Sequence, residues 1–237
     1  MVPLLHAFFL TFFAGIAMPV GAIIAHFLHI KPIWLEKEIL HGITAFGGGA
    51  LMSAVALVLV PEGISNFNPL QATGVFVSGG VSFMLLDYYL AKSGSSMSQL
   101  VAMLSDFIPE SLALGASVAT GSRDAVLITL LIIMQNIPEG FNAFRELRHT
   151  RAYSVKTVLI LFFVLALTGP IAGMIAYIWL SEYHNIISGI MLFSAGGILY
   201  IVFQDIAPQA VLEKHWGPPL GAVLGFSLGL VGYMSIN

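Results

Sequence analysis

Two short stretches carry the side chains able to do chemistry: Asp106-Phe107-Ile108-Pro109-Glu110 and Gln135-Asn136-Ile137-Pro138-Glu139-Gly140. Each sets a Pro-Glu pair in the middle of an apolar run of membrane length, with an acid or an amide four positions before the glutamate. Residues four apart share a helix face, so Asp106 pairs with Glu110 and Gln135 with Glu139. An acidic side chain at bilayer depth costs about 2.5–3.5 kcal/mol or more, which makes each glutamate a functional candidate. The prolines also deprive the carbonyls four residues back, those of Ser105 and Met134, of their helical donors. Side-chain and backbone oxygens converging inside a membrane form a site for a cation.

The elements that must position these groups follow from composition. Of 237 residues, 58% are hydrophobic and only 9% are charged, and mean hydropathy is +0.93. Soluble domains carry roughly 25% charged residues, so this chain belongs in a lipid bilayer. It has no cysteine, which excludes disulfides and thiolate metal sites. A net charge of −3 gives no sign of a nucleic-acid partner. Residues Met1 to Ile30 hold no Asp, Glu, Lys or Arg; the stretch lacks a basic n-region and reads as a retained first span rather than a secretory signal.

At roughly 20 apolar residues per span, the expected architecture is an all-α, polytopic bundle of eight transmembrane helices. The spans fall at about 4–28, 39–60, 69–91, 97–119, 123–145, 156–180, 185–206 and 216–235, with helices four and five kinked by proline. Connections are short, so residues 1–237 read as a single transmembrane domain. Lys31, Lys37, Lys92, Arg145, Arg148, Arg151, Lys156 and Lys214 follow odd-numbered spans, and only Arg123 falls on the other side. That asymmetry places both termini outside the cytoplasm.

Depth can be read at about 1.5 Å per residue. Counted from the cytoplasmic ends, Asp106 and Glu110 lie roughly 14 and 20 Å deep, and Glu139 and Gln135 roughly 9 and 15 Å. The ranges overlap, so one ion could touch both helices. Asn142 and Glu146 continue the Glu139 face and form a candidate track to the cytoplasm, against the plainer reading of an ordinary helix end. Asn136 is either part of that path or a cap for a helix broken at Pro138, and Gln135 could equally serve as interhelical hydrogen-bond glue. Asp87 and Asp205 are weaker candidates, Asp205 as a lining of the pathway. His26, His29 and His41 sit at span ends without clustering, and Trp34, Tyr88, Tyr89 and Trp216 fit an aromatic belt.

An internal echo runs through the chain. Gly47-Gly48-Gly49-Ala50 precedes Pro61-Glu62 in span two, and Ala195-Gly196-Gly197 precedes Asp205 and Pro208 in span seven. Weak repeats with interrupted helices at the centre are a feature of secondary transporters, although glycine stripes also serve close helix packing.

Eight spans, both termini outside, and Pro-Glu motifs in spans four and five resemble the ZIP (Zrt/Irt-like) divalent metal transporters, whose signature there reads approximately His-Asn-x-Pro-Glu-Gly. Gln135 to Gly140 matches except for Gln at the first position. Asp106 to Ser111 departs at three places. The resemblance implies one metal site from Asp106, Glu110, Gln135 and Glu139. The positions that furnish a second, adjacent site in some relatives are Phe107 and Gly169 here, which implies a single ion. The family's long His-rich loop between spans three and four is reduced to Ala91-Lys92-Ser93-Gly94-Ser95-Ser96.

With Asp in place of His the ligand set is all oxygen, less discriminating for zinc and tolerant of manganese, iron(II), cobalt or cadmium. The metal is then the transported substrate, with no separate cofactor. Alternating access toward the cytoplasm is the expected mechanism, one bundle carrying the ion against another, with protonation of a glutamate able to release it. An intramembrane metallohydrolase would need a motif such as His-Glu-x-x-His, which is absent, so no enzyme is expected. A secondary transporter of a different cation or solute is the remaining rival. The expected setting is a bacterial inner membrane, and pairing into a homodimer is left open.

Overall fold

The computed structural model describes residues 2–28, 33–93, 98–121, 124–149, 153–180, 182–210 and 217–236. Among them there is no strand, and the helices line up into eight rods. Here α1 is Val2–Phe27. Helix α2 runs Ile33–Ala54 and continues through Val55–Leu59, Val60–Gly63 and Ile64–Asn66. Next come α3 (Pro69–Ser93), α4 (Ser98–Ala119) and α5 (Asp124–His149). Helix α6 joins Val155–Ala166, Thr168–Ile175 and Ala176–Leu180. Helix α7 joins His184–Ile201, Val202–Ile206 and Ala207–Gln209, and α8 is Gly217–Ile236.

Among the described residues, seven of the rods are long and apolar enough to cross a membrane. Helix α4 contributes, among those residues, the apolar stretch Phe107–Ala119.

Helices α4 and α5 run unbroken through Pro109 and Pro138, which removes the reading of Asn136 as a cap for a helix broken at Pro138. Proline inside a membrane helix is tolerated when neighbouring helices re-satisfy the freed backbone. The interruption comes instead in α6, at Leu167, where Pro170 removes the donor for the Ala166 carbonyl. Widened π turns occur in α2, α6 and α7, and in α2 and α7 the sequence echo acquires a structural meaning. In each helix the π turn begins six residues before a proline, Val55 before Pro61 and Val202 before Pro208. The wider turn accommodates the pyrrolidine ring, which would otherwise clash with the carbonyl four residues back.

The rods sort into two groups by contact. Helix α1 packs on α4, α5 and α6, while α2 packs on α8 and α3 on α7. Small residues set these distances. A Cβ on Gly140 would lie 2.1 Å from the Met18 carbonyl oxygen, and one on Gly21 2.1 Å from that of Ile137, so α1 and α5 touch backbone to backbone. Helices α4 and α5 together form the wall between the groups, α5 against α2 and α4 against α7. On α4, Phe107 and Leu114 join a core with Met18 and Phe162, and Ala113 and Ala116 join one with Leu51, Met191 and Ile198. The most peripheral apolar stretches lie in α3 and α8, each 17% buried, against 67% in α2 and 61% in α5 and α7. The groups that could hold an ion therefore lie inside the bundle, away from lipid.

Candidate metal site between α4 and α5

Glu110 and Gln135 are 3% and 1% exposed. The Gln135 amide nitrogen Nε2 donates to Glu110 Oε1 at 2.5 Å across the α4–α5 interface. The reverse amide orientation would set its oxygen against the carboxylate, so the donor assignment is the one electrostatics favours. This bond realises the overlap in depth expected from the two motifs.

Two oxygens are left over. Glu110 Oε2 and Gln135 Oε1 are buried and have no hydrogen-bond partner among the described residues. An orphaned buried acceptor costs about 1–3 kcal/mol, more when charged. Glu139, half-buried one turn along α5 from Gln135, is close enough to Glu110 for the carboxylates to repel. A buried acid with a free oxygen, a second acid near enough to repel it and an amide bonded to the first form a cation-binding arrangement. The side chain of Asp106, the fourth expected ligand, lies outside the described residues. Among the described residues no three His, Asp or Glu side chains gather into a metal-binding group.

The remaining candidates are placed differently. Asn136 is buried and its Nδ2 donates to the Ala14 carbonyl of α1 at 2.9 Å, which engages its amide in holding α1 to α5. Asn142 Nδ2 donates to Thr44 Oγ1 of α2 at 2.9 Å, bridging the two groups of helices. The side chain of Glu146 lies outside the described residues. Asp205 is half-buried in the π turn of α7, within electrostatic reach of Tyr200. Tyr200 OH in turn donates to Asp87 Oδ2 of α3 at 3.1 Å.

Phe107 and Gly169, the two positions linked at the sequence level to the loss of a second ion, meet in space. The Phe107 side chain is fully buried, and a Cβ on Gly169 would lie 2.4 Å from its Cζ. The ring fills the space beside the Glu110 turn, between α1, α4 and α6. Sequence reasoning missed Ser111 and Ser117, whose buried hydroxyls have no partner among the described residues. Ser111 adjoins Glu110 and Ser117 lies two turns beyond it, but serine in a membrane helix is too common for spacing alone to mark it.

Fold and site together define a polytopic helical membrane protein with an acidic, oxygen-lined centre. Residues 89–237, more than half the chain, match the family model described as "ZIP Zinc transporter", and the chain belongs to that family. It is a transporter, not an enzyme, and the metal ion is its substrate rather than a resident cofactor. The chain is 25% identical over 274 aligned positions to zinc transporter ZIP9 of Xenopus tropicalis, covering 90% of this chain and 89% of that one. It is 23% identical to zinc transporter ZIP9-A of Xenopus laevis over the same shares.

Proposed function

We propose that this protein carries divalent transition-metal ions, zinc foremost, across the membrane through a single site made by Asp106, Glu110, Gln135 and Glu139. Family membership supports metal transport, and the relatives named above are zinc transporters. The observation that carries the site is the pair of unpartnered oxygens, Glu110 Oε2 and Gln135 Oε1, beside the Glu139 carboxylate. A divalent ion satisfies both and relieves the repulsion between the acids. A site of this kind, acids and an amide with no imidazole or thiolate, also admits manganese, iron(II), cobalt and cadmium.

The packing of Phe107 against Gly169 supports one ion rather than two, because no donor atom from either side chain is present there and the ring takes the volume. Alternating access fits the division of the helices, with α1, α4, α5 and α6 bearing the site against α2, α3, α7 and α8. The distribution of Lys and Arg supports both termini outside the cytoplasm, with transport directed inward. Short connections support one compact membrane domain.

Reconstitution into liposomes with a zinc-sensitive dye inside tests the site. Glu110→Ala and Glu139→Ala should each abolish uptake while remaining folded by thermal melting in detergent. Uptake at the parent's rate by either variant would remove the assignment.

A further inference from the structure

An open cavity lined by both polar and apolar side chains lies at the end of the bundle where α2, α4 and α8 finish and α7 begins. It has a volume of about 400 Å³, and its walls include Glu62, Asn66, Ser117, Thr120, His184 and Ser188. Four rods converge there, and its wall is tied: Asn66 Nδ2 donates to Ser188 Oγ at 2.9 Å, holding the end of α2 to the first turns of α7. At roughly 30 Å³ per water the volume takes about a dozen water molecules. An ion could therefore sit there with most of its hydration shell.

Two features point to a cation. A carboxylate and an imidazole, Glu62 and His184, line the same space, a mixed oxygen and nitrogen pair that suits borderline transition-metal ions better than it suits magnesium or calcium. Ser117, 1% exposed, also lines it, and its Oγ has no hydrogen-bond partner among the described residues. A buried hydroxyl without a partner in such a cavity is an acceptor waiting for a donor or a hydrated ion. Ser117 is seven residues from Glu110, so the two share a face of α4 about 10 Å apart. Fully buried Leu114 stands between them on that face.

We propose that this cavity is a second, low-affinity binding site for a hydrated divalent transition-metal ion, held by Glu62 and His184 with Ser117 at its inner wall. It gathers the ion before the ion passes Leu114 to the Glu110 site; this role in transport rests on the proposed function above. A weak site suits a staging post, since an ion held loosely can leave inward. Asn66 and Ser188 hold the walls and make no metal contact.

The experiment uses the full-length protein and cadmium as probe. The double variant Glu62→Gln/His184→Ala should raise the KM for cadmium uptake in proteoliposomes by about fivefold or more and leave the maximal rate within twofold. Ser117→Ala should raise KM by a smaller factor with the melting temperature unchanged. In parallel, equilibrium dialysis of the Glu110→Ala/Glu139→Ala protein should find one residual weak cadmium ion, and adding Glu62→Gln/His184→Ala should remove it. An unchanged KM, or residual cadmium that persists or never binds, overturns the cavity site and leaves the Glu110 site intact. If the parent carries no cadmium yet the weak ion is still lost on changing Glu62 and His184, the transport reading falls and the cavity site stands.

Discussion

Two clusters of acidic side chains lie within the membrane-spanning helices, and they are built on opposite principles. Between α3 and α7, Asp87 accepts a hydrogen bond from Tyr200, with Asp205 in electrostatic reach of the same hydroxyl. Between α4 and α5, Glu110 is bound at one oxygen only, and the Gln135 amide that binds it leaves its own oxygen over. Half-buried Asp87 lies on α3, a helix whose apolar stretch is only 17% buried, whereas Glu110 is 3% exposed at the centre. A half-buried carboxylate with one donor at the periphery has no enclosed oxygen left over. A carboxylate enclosed with an open valence needs a guest, and that difference separates a packing contact from a binding site.

Transport separates the two clusters most strongly. Glu110→Ala or Glu139→Ala should lower zinc uptake by more than about 100-fold, since even outer partners of metal ligands are worth about 10–100-fold. Asp87→Asn should leave uptake within a factor of about two. Equal losses from both clusters, measured as initial rates in proteoliposomes, would erase the distinction drawn here.

Binding sharpens it next. Zinc at a hundred times its dissociation constant should stabilise the detergent-solubilised parent by about 2.7 kcal/mol. The gain should survive Asp87→Asn and vanish in Glu110→Ala; a zinc-dependent melting shift in Glu110→Ala equal to the parent's would place the ion elsewhere.

The wall of the site offers a steric test. Gly169→Ala brings a methyl group to 2.4 Å from Phe107 Cζ and 3.0 Å from the Thr11 carbonyl oxygen, an overpacking expected to cost about 1–3 kcal/mol. Phe107→Leu should recover part of that loss in the double variant. Additive effects of the two changes on the melting temperature would show that ring and glycine are not in contact.

The smallest effect belongs to the peripheral cluster. Tyr200→Phe removes one hydrogen bond and should cost about 0.5–1.5 kcal/mol in thermal stability, with the KM for zinc unchanged. A raised KM would bring Asp87 and Tyr200 into the ion's path.

Much of this was legible before any coordinates. Hydropathy located the rods because the bilayer imposes a cost along the chain one residue at a time. The i,i+4 spacing located the Glu110 and Gln135 turns because a helix repeats in 3.6 residues. Their overlap in depth followed from counting rises. Partner choice was less accessible: Asn136 and Asn142 stand on the motif helix just as a pathway would require, yet one is engaged with Ala14 and the other with Thr44. The helix interruption at Leu167 and the π turns before Pro61 and Pro208 show the same limit, since proline reveals a missing donor but not how the backbone absorbs it.

By itself, then, the order of residues determined that this chain crosses a membrane in helices and that two of them bring acids to the same level. Those are properties of one helix at a time, governed by desolvation and periodicity. Only tertiary structure decided which oxygens would be left without a donor, that Phe107 would close on Gly169, and that Glu62 and His184 would share one cavity. These depend on how near the helices come and in what rotation, which small residues such as Gly21 and Gly140 set through contacts more than a hundred positions apart.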